Sequence, residues 1–215
     1  MDVINQQYIY KYKTEEEYFW AGEFGSGYIE RNNSDQLVAS NLKLFSDSLD
    51  KIYFINSVIE FGANIGLNLK ALKLIYPEQQ QYAIEINSDA VKVLPESIPV
   101  GNIFNDSILN YNSTIKAELA LIKGVLIHIN PLMLNDVYDK IYSSSSKYIL
   151  MCEYYNPYPI EIDYRGHSGK LYKRDFAGEF LDRFSDVKLI DYGFTYRKDK
   201  SFTMDDLNWF LMSKD

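Results

Sequence analysis

From Val58 onward, short apolar runs rich in β-branched residues alternate with stretches of helical period. That order is what a parallel sheet flanked by helices requires. The runs are Val58-Ile59-Glu60-Phe61, Tyr82-Ala83-Ile84-Glu85-Ile86, a short third strand at 99–104, Glu118-Leu119-Ala120-Leu121-Ile122 and Tyr148-Ile149-Leu150-Met151-Cys152. Between them, Ile65, Leu69, Leu72 and Tyr76 fall on one helical face that Pro77 stops. Ser88 or Asp89 is expected to cap a second helix through Leu94, ended by Pro95, and Asn130-Pro131 opens another as cap and first residue. A helix over roughly 176–184 precedes two aromatic strands, 188–196 and 207–212, expected to pair as a C-terminal hairpin. The serine run 143–146 reads as a loop.

The first fifty residues lack that alternation. Thr14-Glu15-Glu16-Glu17 is a helix start, with carboxylates at the positive end of the dipole. The following stretch, Tyr18 to Asn32, carries three glycines among five aromatics, a poor composition for a regular helix. Two readings stand: a surface loop whose aromatics cap the core, or a mobile lid in which Trp20, Phe24 and Tyr28 exclude water and Arg31 meets a carboxylate. Residues 1–50 are expected to be a helical or lid segment and 51–215 the main domain, within one globular unit.

The decisive stretch is Glu60-Phe61-Gly62-Ala63-Asn64-Ile65-Gly66. It reads as a strand, a tight glycine turn and a helix whose first turn offers free backbone N–H groups to a ligand. Gly62 and Gly66 permit conformations closed to other residues, and Asn64 tolerates positive φ. The dinucleotide fingerprint needs a third glycine where Leu67 stands, which weakens a nicotinamide-dependent reductase. The spacing resembles motif I of the class I S-adenosylmethionine-dependent methyltransferases. Glu85, ending the second strand at about the right interval, is the candidate ribose ligand, because a carboxylate accepts from two adjacent hydroxyls.

Composition narrows the partners. The 215 residues are 47% hydrophobic, and the formal net charge of -8 disfavours a general affinity for phosphate backbones. No nucleic-acid partner is expected. One cysteine, Cys152, offers neither an internal disulfide nor a thiolate metal cluster, so a cytoplasmic setting and no metal are expected. Asp2, Asn5, Gln6 and Gln7 do not fit a secretory signal, and no apolar run approaches the roughly 20 residues that span a bilayer.

Over nearly its whole length the chain resembles the methyltransferases associated with pseudaminic acid biosynthesis, a class I group found near bacterial nonulosonic-acid and surface-sugar genes. The resemblance lies in Phe19-Trp20-Ala21-Gly22-Glu23-Phe24-Gly25, the glycine turn through Leu69, Lys123 to Pro131, Glu153-Tyr154-Tyr155-Asn156-Pro157, Tyr164-Arg165-Gly166-His167, Lys173 to Glu179 and Asp191-Tyr192-Gly193-Phe194. It implies a Rossmann-like α/β fold: a mainly parallel seven-stranded sheet, an antiparallel C-terminal hairpin and helices on both faces. It also implies S-adenosylmethionine as cofactor, S-adenosylhomocysteine as product, and a small acceptor, an anionic sugar or nucleotide sugar, in a monomer or homodimer.

Methyl transfer from a sulfonium is an in-line displacement that asks for alignment, exclusion of water and, for some acceptors, a base. His128 and His167, the only histidines, are the base candidates. The cofactor-binding candidates are Trp20, Arg31, Glu60, Gly62, Asn64, Gly66, Glu85, Asn87, Asn102, Ile103 and Lys123, with Asn105 and Asp106 as competitors for the adenine edge. The substrate-binding candidates are Tyr154, Tyr155, Arg165, Lys173 and Arg174, cations and phenols suited to an anionic acceptor. Each has a bland alternative: a helix-entry or loop histidine, solvated ion pairs with Glu161, Asp163 and Asp175, ordinary aromatic packing. A non-catalytic module binding an adenosyl ligand, or a methyltransferase acting on an unrelated metabolite, is the competing function.

Overall fold

The computed structural model describes residues 12–112 and 114–215; Asp2, Asn5, Gln6 and Gln7 lie outside them. Among the described residues three helices come first: α1 (Glu15–Ala21), α2 (Glu23–Arg31) and α3 (Asp35–Ser48). The alternating part follows as β1 (Ser57–Phe61), α4 (Leu67–Ile75), β2 (Gln80–Ile84), α5 (Ser88–Val93), β3 (Ile103–Phe104), β4 (Ala117–Lys123), α6 (Leu134–Ser144) and β5 (Ser145–Glu153). A small hairpin, β6 (Ile160–Glu161) with β7 (Tyr172–Lys173), precedes α7 (Phe176–Arg183), β8 (Val187–Phe194) and β9 (Asn208–Lys214).

The main sheet has seven strands in the order β3-β2-β1-β4-β5-β9-β8. Neighbours from β3 to β5 pair in parallel, and β9 runs antiparallel to both β5 and β8. Because successive side chains point to opposite faces, the two faces feed separate cores. Val58, Leu119, Leu121, Leu150 and Leu211 pack beneath Phe45 of α3 and Leu69 and Leu72 of α4. Ile59, Phe61, Ala120, Ile122, Ile149 and Met212 pack beneath Val137, Tyr138 and Ile141 of α6 and Phe180 of α7. The strand order turns back between β1 and β4, and ligands in open α/β sheets bind beyond the carboxyl ends of strands at such a point.

Several local expectations need correction. The stretch 18–32 is helical despite its glycines: Gly22 ends α1 and starts α2, so it sits where the helix is already broken, and tertiary packing supports the rest. Helix α3 went unforeseen, although Ser34 caps it and Val38, Asn41, Phe45 and Ser48 make a buried helical stripe. The second helix is capped by Asn87 rather than by Ser88 or Asp89, and Pro95 does not end the turn but sits within a 3-10 continuation, Leu94–Glu96. The third strand keeps only Ile103 and Phe104 of the expected segment, after a 3-10 turn over Val100–Asn102. The serine run is no loop: Ser144 ends α6 and Ser145, fully buried, starts β5, its hydroxyl donating to the Tyr148 carbonyl at 2.8 Å. Among the described residues no helix is long and apolar enough to cross a membrane.

Candidate active site

The floor is built from strand ends. Beyond β1, Gly62 (φ 75°), Asn64 (φ 48°) and Gly66 (φ 82°) all take left-handed backbone, so the chain folds back before α4. A Cβ at Gly62 would stand 2.6 Å from Val125, which shows how closely this bend approaches the turn after β4. The Gly62 and Ala63 N–H groups both donate to the Ile84 carbonyl, at 2.9 and 3.0 Å. Glu85, the residue immediately after β2, completes the link: its two carboxylate oxygens accept from the N–H groups of Asn64 and Asn87, each at 2.7 Å. Burial pushes its carboxyl upward, and those N–H groups pull the other way.

Two further ionisable side chains, Glu60 and Lys123, lie at the ends of β1 and β4. Glu60 is fully buried; Asn68 donates to one oxygen at 2.5 Å and the other has no hydrogen-bond partner among the described residues. Burial raises it to about 8, so the neutral acid prevails at pH 7. Lys123, at the end of β4, lowers both Glu60 and Glu153, yet among the described residues it makes no ion pair.

Above the strand tips is a cavity of about 540 Å³, within the roughly 300–1,000 Å³ common for small-molecule sites. Its lining includes Ile86, Asn87, Ser107, Ile108 and Leu109, then Gly62, Asn64, Glu85, Lys123 and Val125 of the strand ends, and Leu37, Asn41, Arg197 and Met204. Trp20 and Tyr28 roof it. Asn87 holds that roof in place. Its side-chain oxygen caps α5 through Asp89 and Ala90 N–H, while its amide donates to the Trp20 and Gly22 carbonyls at 3.1 and 3.3 Å. Gly25 allows the fit, since a Cβ there would run into the Trp20 carbonyl. The Trp20 indole nitrogen and the Asn64 side-chain oxygen are buried without hydrogen-bond partners among the described residues, and both residues line the cavity.

His128 is buried and lines the same space, its ring centroid 4.5 Å from Trp20 and 4.9 Å from Tyr164. Its Nδ1 lies 2.6 Å from the Lys170 carbonyl. A carbonyl only accepts, so Nδ1 carries the proton and Nε2 the lone pair. Burial drives its pKa down to about 4, leaving the ring neutral at ordinary pH.

Of the residues singled out in the sequence, Trp20, Gly62, Asn64, Glu85, Asn87, Lys123 and His128 converge on this cavity. Glu60 and Gly66 stand behind its lining, and exposed Arg31 lies outside it, 5.4 Å from the Phe24 ring. Asn102 and Ile103 also lie outside: the Asn102 amide donates to the Gln81 carbonyl, and Ile103 packs against the core on the α4 side. Asn105 is committed to the Glu85 and Ile86 carbonyls and Asp106 to the Ser107 N–H. His167 is exposed on the outer side of the roof, against Phe19 and Phe24. Tyr154, Tyr155, Arg165, Lys173 and Arg174 are outside the lining. Tyr154 donates to Asp205 at 2.7 Å beneath Lys173, and Arg174 is paired with Glu179 at 2.5 Å. Sequence reading missed Asn41, Ser107 to Leu109, and the Arg197, Thr203, Met204 and Asp205 wall from the β8–β9 connection. Only tertiary folding brings these to the strand tips.

No protein-family model matches the sequence, and no curated protein matches it either. Solved structures do match. The magnesium protoporphyrin IX methyltransferase of Synechocystis with bound S-adenosylmethionine is similar over 94% of this chain and 98% of that one, with a TM-score of 0.65 at 10% identity. The 1,6-didemethyltoxoflavin N1-methyltransferase of Burkholderia thailandensis, with its acceptor and S-adenosylhomocysteine bound, covers 92% and 86%, with a TM-score of 0.67 at 10% identity. This is the class I methyltransferase fold. A Leishmania major S-adenosylmethionine-dependent methyltransferase gives the same TM-score of 0.67 at 13% identity, over 92% of this chain and 81% of that one. At such identities the likeness concerns the fold, including its parallel strands and antiparallel C-terminal hairpin.

Proposed function

We propose that the chain is an S-adenosylmethionine-dependent methyltransferase acting on oxygen or nitrogen of a small anionic acceptor of the sugar-acid or nucleotide-sugar kind. The observation that carries this reading is Glu85. It is a buried carboxylate tied by backbone N–H groups to the left-handed Gly62–Gly66 bend, and it faces a roofed cavity of nucleoside size. Each of its oxygens retains capacity to accept a ribose hydroxyl. Ile86, Ile108 and Leu109 supply the apolar walls for the adenine. The Trp20 N–H and Asn64 oxygen, without partners among the described residues, and Lys123 offer polar contacts for an amino-acid tail. The methyltransferases of like fold that hold S-adenosylmethionine or S-adenosylhomocysteine support the same choice.

Bound here, S-adenosylmethionine supplies an electrophilic methyl group. The residues of the chain align, shield and orient. Helices α1 and α2 act as the lid that excludes water. His128, neutral and with the lone pair on Nε2, accepts a hydrogen bond from the acceptor's O–H or N–H, orienting it rather than serving as a strong base. Arg31 and Arg165, exposed at the outer side, and Lys173 attract the acceptor's anionic group.

The test is incubation with methyl-labelled S-adenosylmethionine and a mixed pool of acidic sugars, nucleotide sugars and uncharged sugars and amines, read by mass spectrometry. The reading predicts an acidic sugar that gains one CH2 and an equal yield of S-adenosylhomocysteine. Label entering only uncharged acceptors would remove the anionic class, and donor binding without turnover on any pool would leave a binding module.

A further inference from the structure

Glu153 closes β5, is only 3% exposed, and has no role in the account above. Its Oε1 accepts from the backbone N–H groups of both Val125 and Leu126, each at 3.0 Å. Its Oε2 is buried with no hydrogen-bond partner among the described residues. Those two N–H groups open the 3-10 turn Leu126–His128, and the first N–H groups of any helical turn lack partners within it. An N-cap side chain ordinarily meets that need from the adjacent residue. Here a carboxylate from the neighbouring strand meets it.

Several parts of the site hang from this turn. Val125 occupies the space that a side chain at Gly62 would need, so it sets how the donor bend is backed. His128 presents its ring to Trp20, and Ile129 and Asn130 continue the cavity wall. The far end of the turn is held by the Lys170 carbonyl through His128 Nδ1. Leading in, Gly124 is left-handed and its N–H donates to the Cys152 carbonyl at 2.9 Å. The turn is thus pinned by β5 at its start and by the β6–β7 connection at its close.

We infer that Glu153 is a positioning residue: its carboxylate sets the turn after β4, and through it the backing of the glycine bend and the ring of His128. The inference rests on reading this cavity as a methyl-transfer site. Burial that pushes Glu153 up to about 7, against the pull of the Val125, Leu126 and Ile127 N–H groups and Lys123, is consistent with a group held for its geometry rather than for its charge.

The experiment compares Glu153→Gln, which keeps a carbonyl oxygen for both N–H groups, with Glu153→Leu, which keeps the bulk and loses the acceptor. The readouts are imidazole nitrogen shifts of His128 and calorimetric S-adenosylhomocysteine affinity. Glu153→Gln is expected to preserve the Nδ1–H tautomer and to bind within about threefold of the parent, whereas Glu153→Leu shifts the His128 resonances and weakens binding by about tenfold or more. Amide exchange in the unaltered protein adds a measurement that no folding defect can spoil: Val125 and Leu126 should be protected. Unshifted His128 resonances in a folded Glu153→Leu protein, equal losses in both variants, or freely exchanging Val125 and Leu126 amides would each overturn the assignment. An unaltered protein that binds no S-adenosylhomocysteine would instead sink the methyl-transfer reading, with the imidazole and exchange results still judging Glu153.

Discussion

The floor and the roof of the cavity are built in different ways. The floor, from Glu60 to Gly66 with Glu85, is made by the ends of two adjacent paired strands, 21 residues apart at Asn64 and Glu85, whose backbone angles and N–H groups fix one another. The roof, α1 and α2, is held by distant partners: Asn87 to the Trp20 and Gly22 carbonyls, Ser26 to Asp89, Glu17 to Ser107, and Glu16 to Asn130. A floor of this kind belongs to the cooperative core. A roof held by side-chain hydrogen bonds to separate elements is expected to open at lower free energy than the whole fold.

The comparison breaks most sharply at Gly62. An Ala there must adopt a left-handed conformation, roughly 1–2 kcal/mol, and crowds Val125, roughly 1–3 kcal/mol. Chemical denaturation of Gly62→Ala is therefore expected to show a loss of about 3 kcal/mol, and an unchanged midpoint would mean that the bend is not strained in the way described.

His128 joins floor to roof and gives a pH test of comparable size. Its folded pKa, about 4, lies below its ordinary 6.5, so the unfolded chain binds the extra proton first. The stability it contributes is complete above about 6.5 and is lost as pH falls toward 4, up to about 3 kcal/mol. The difference in unfolding free energy between parent and His128→Gln should change with pH inside that window and stay flat above it. A difference independent of pH would show that the ring is not buried neutral.

Replacing Glu85 by Ala leaves two N–H groups of the floor without an acceptor and removes the proposed ribose ligand. S-adenosylhomocysteine should bind more weakly by roughly 1 to 3 kcal/mol; an unaltered dissociation constant would remove the ribose role. The smallest effect on global stability is expected at Gly25. An Ala there forces the roof away from its seat, so Trp20 emission should shift to the red while the sheet unfolds within about 1 kcal/mol of the parent. Loss of sheet stability equal to that of Gly62→Ala would erase the distinction between the two regions.

The same difference explains what the sequence made legible. Strands and helices from Val58 on follow hydrophobic period, and the glycine bend with Glu85 is a local pattern, so both could be read directly. The roof was legible only in part: the helix start at Thr14 and a lid reading for Trp20 and Tyr28 were there, but three glycines argued against continuous helix, and only contacts such as Gly25 against the Trp20 carbonyl show why a glycine is needed there. The basic residues Arg165, Lys173 and Arg174 drew attention by composition, yet Arg174 is bound up with Glu179 and none of them lines the cavity. Ser107 to Leu109 and the β8–β9 connection carry no pattern of their own, and only the sheet order brings them beside the bend.

Titration calorimetry of the unaltered protein against S-adenosylhomocysteine and, separately, NAD decides which nucleoside the cavity takes. Saturable binding of one S-adenosylhomocysteine per chain with no heat from NAD is the predicted result. Tight NAD binding with no response to S-adenosylhomocysteine would contradict it.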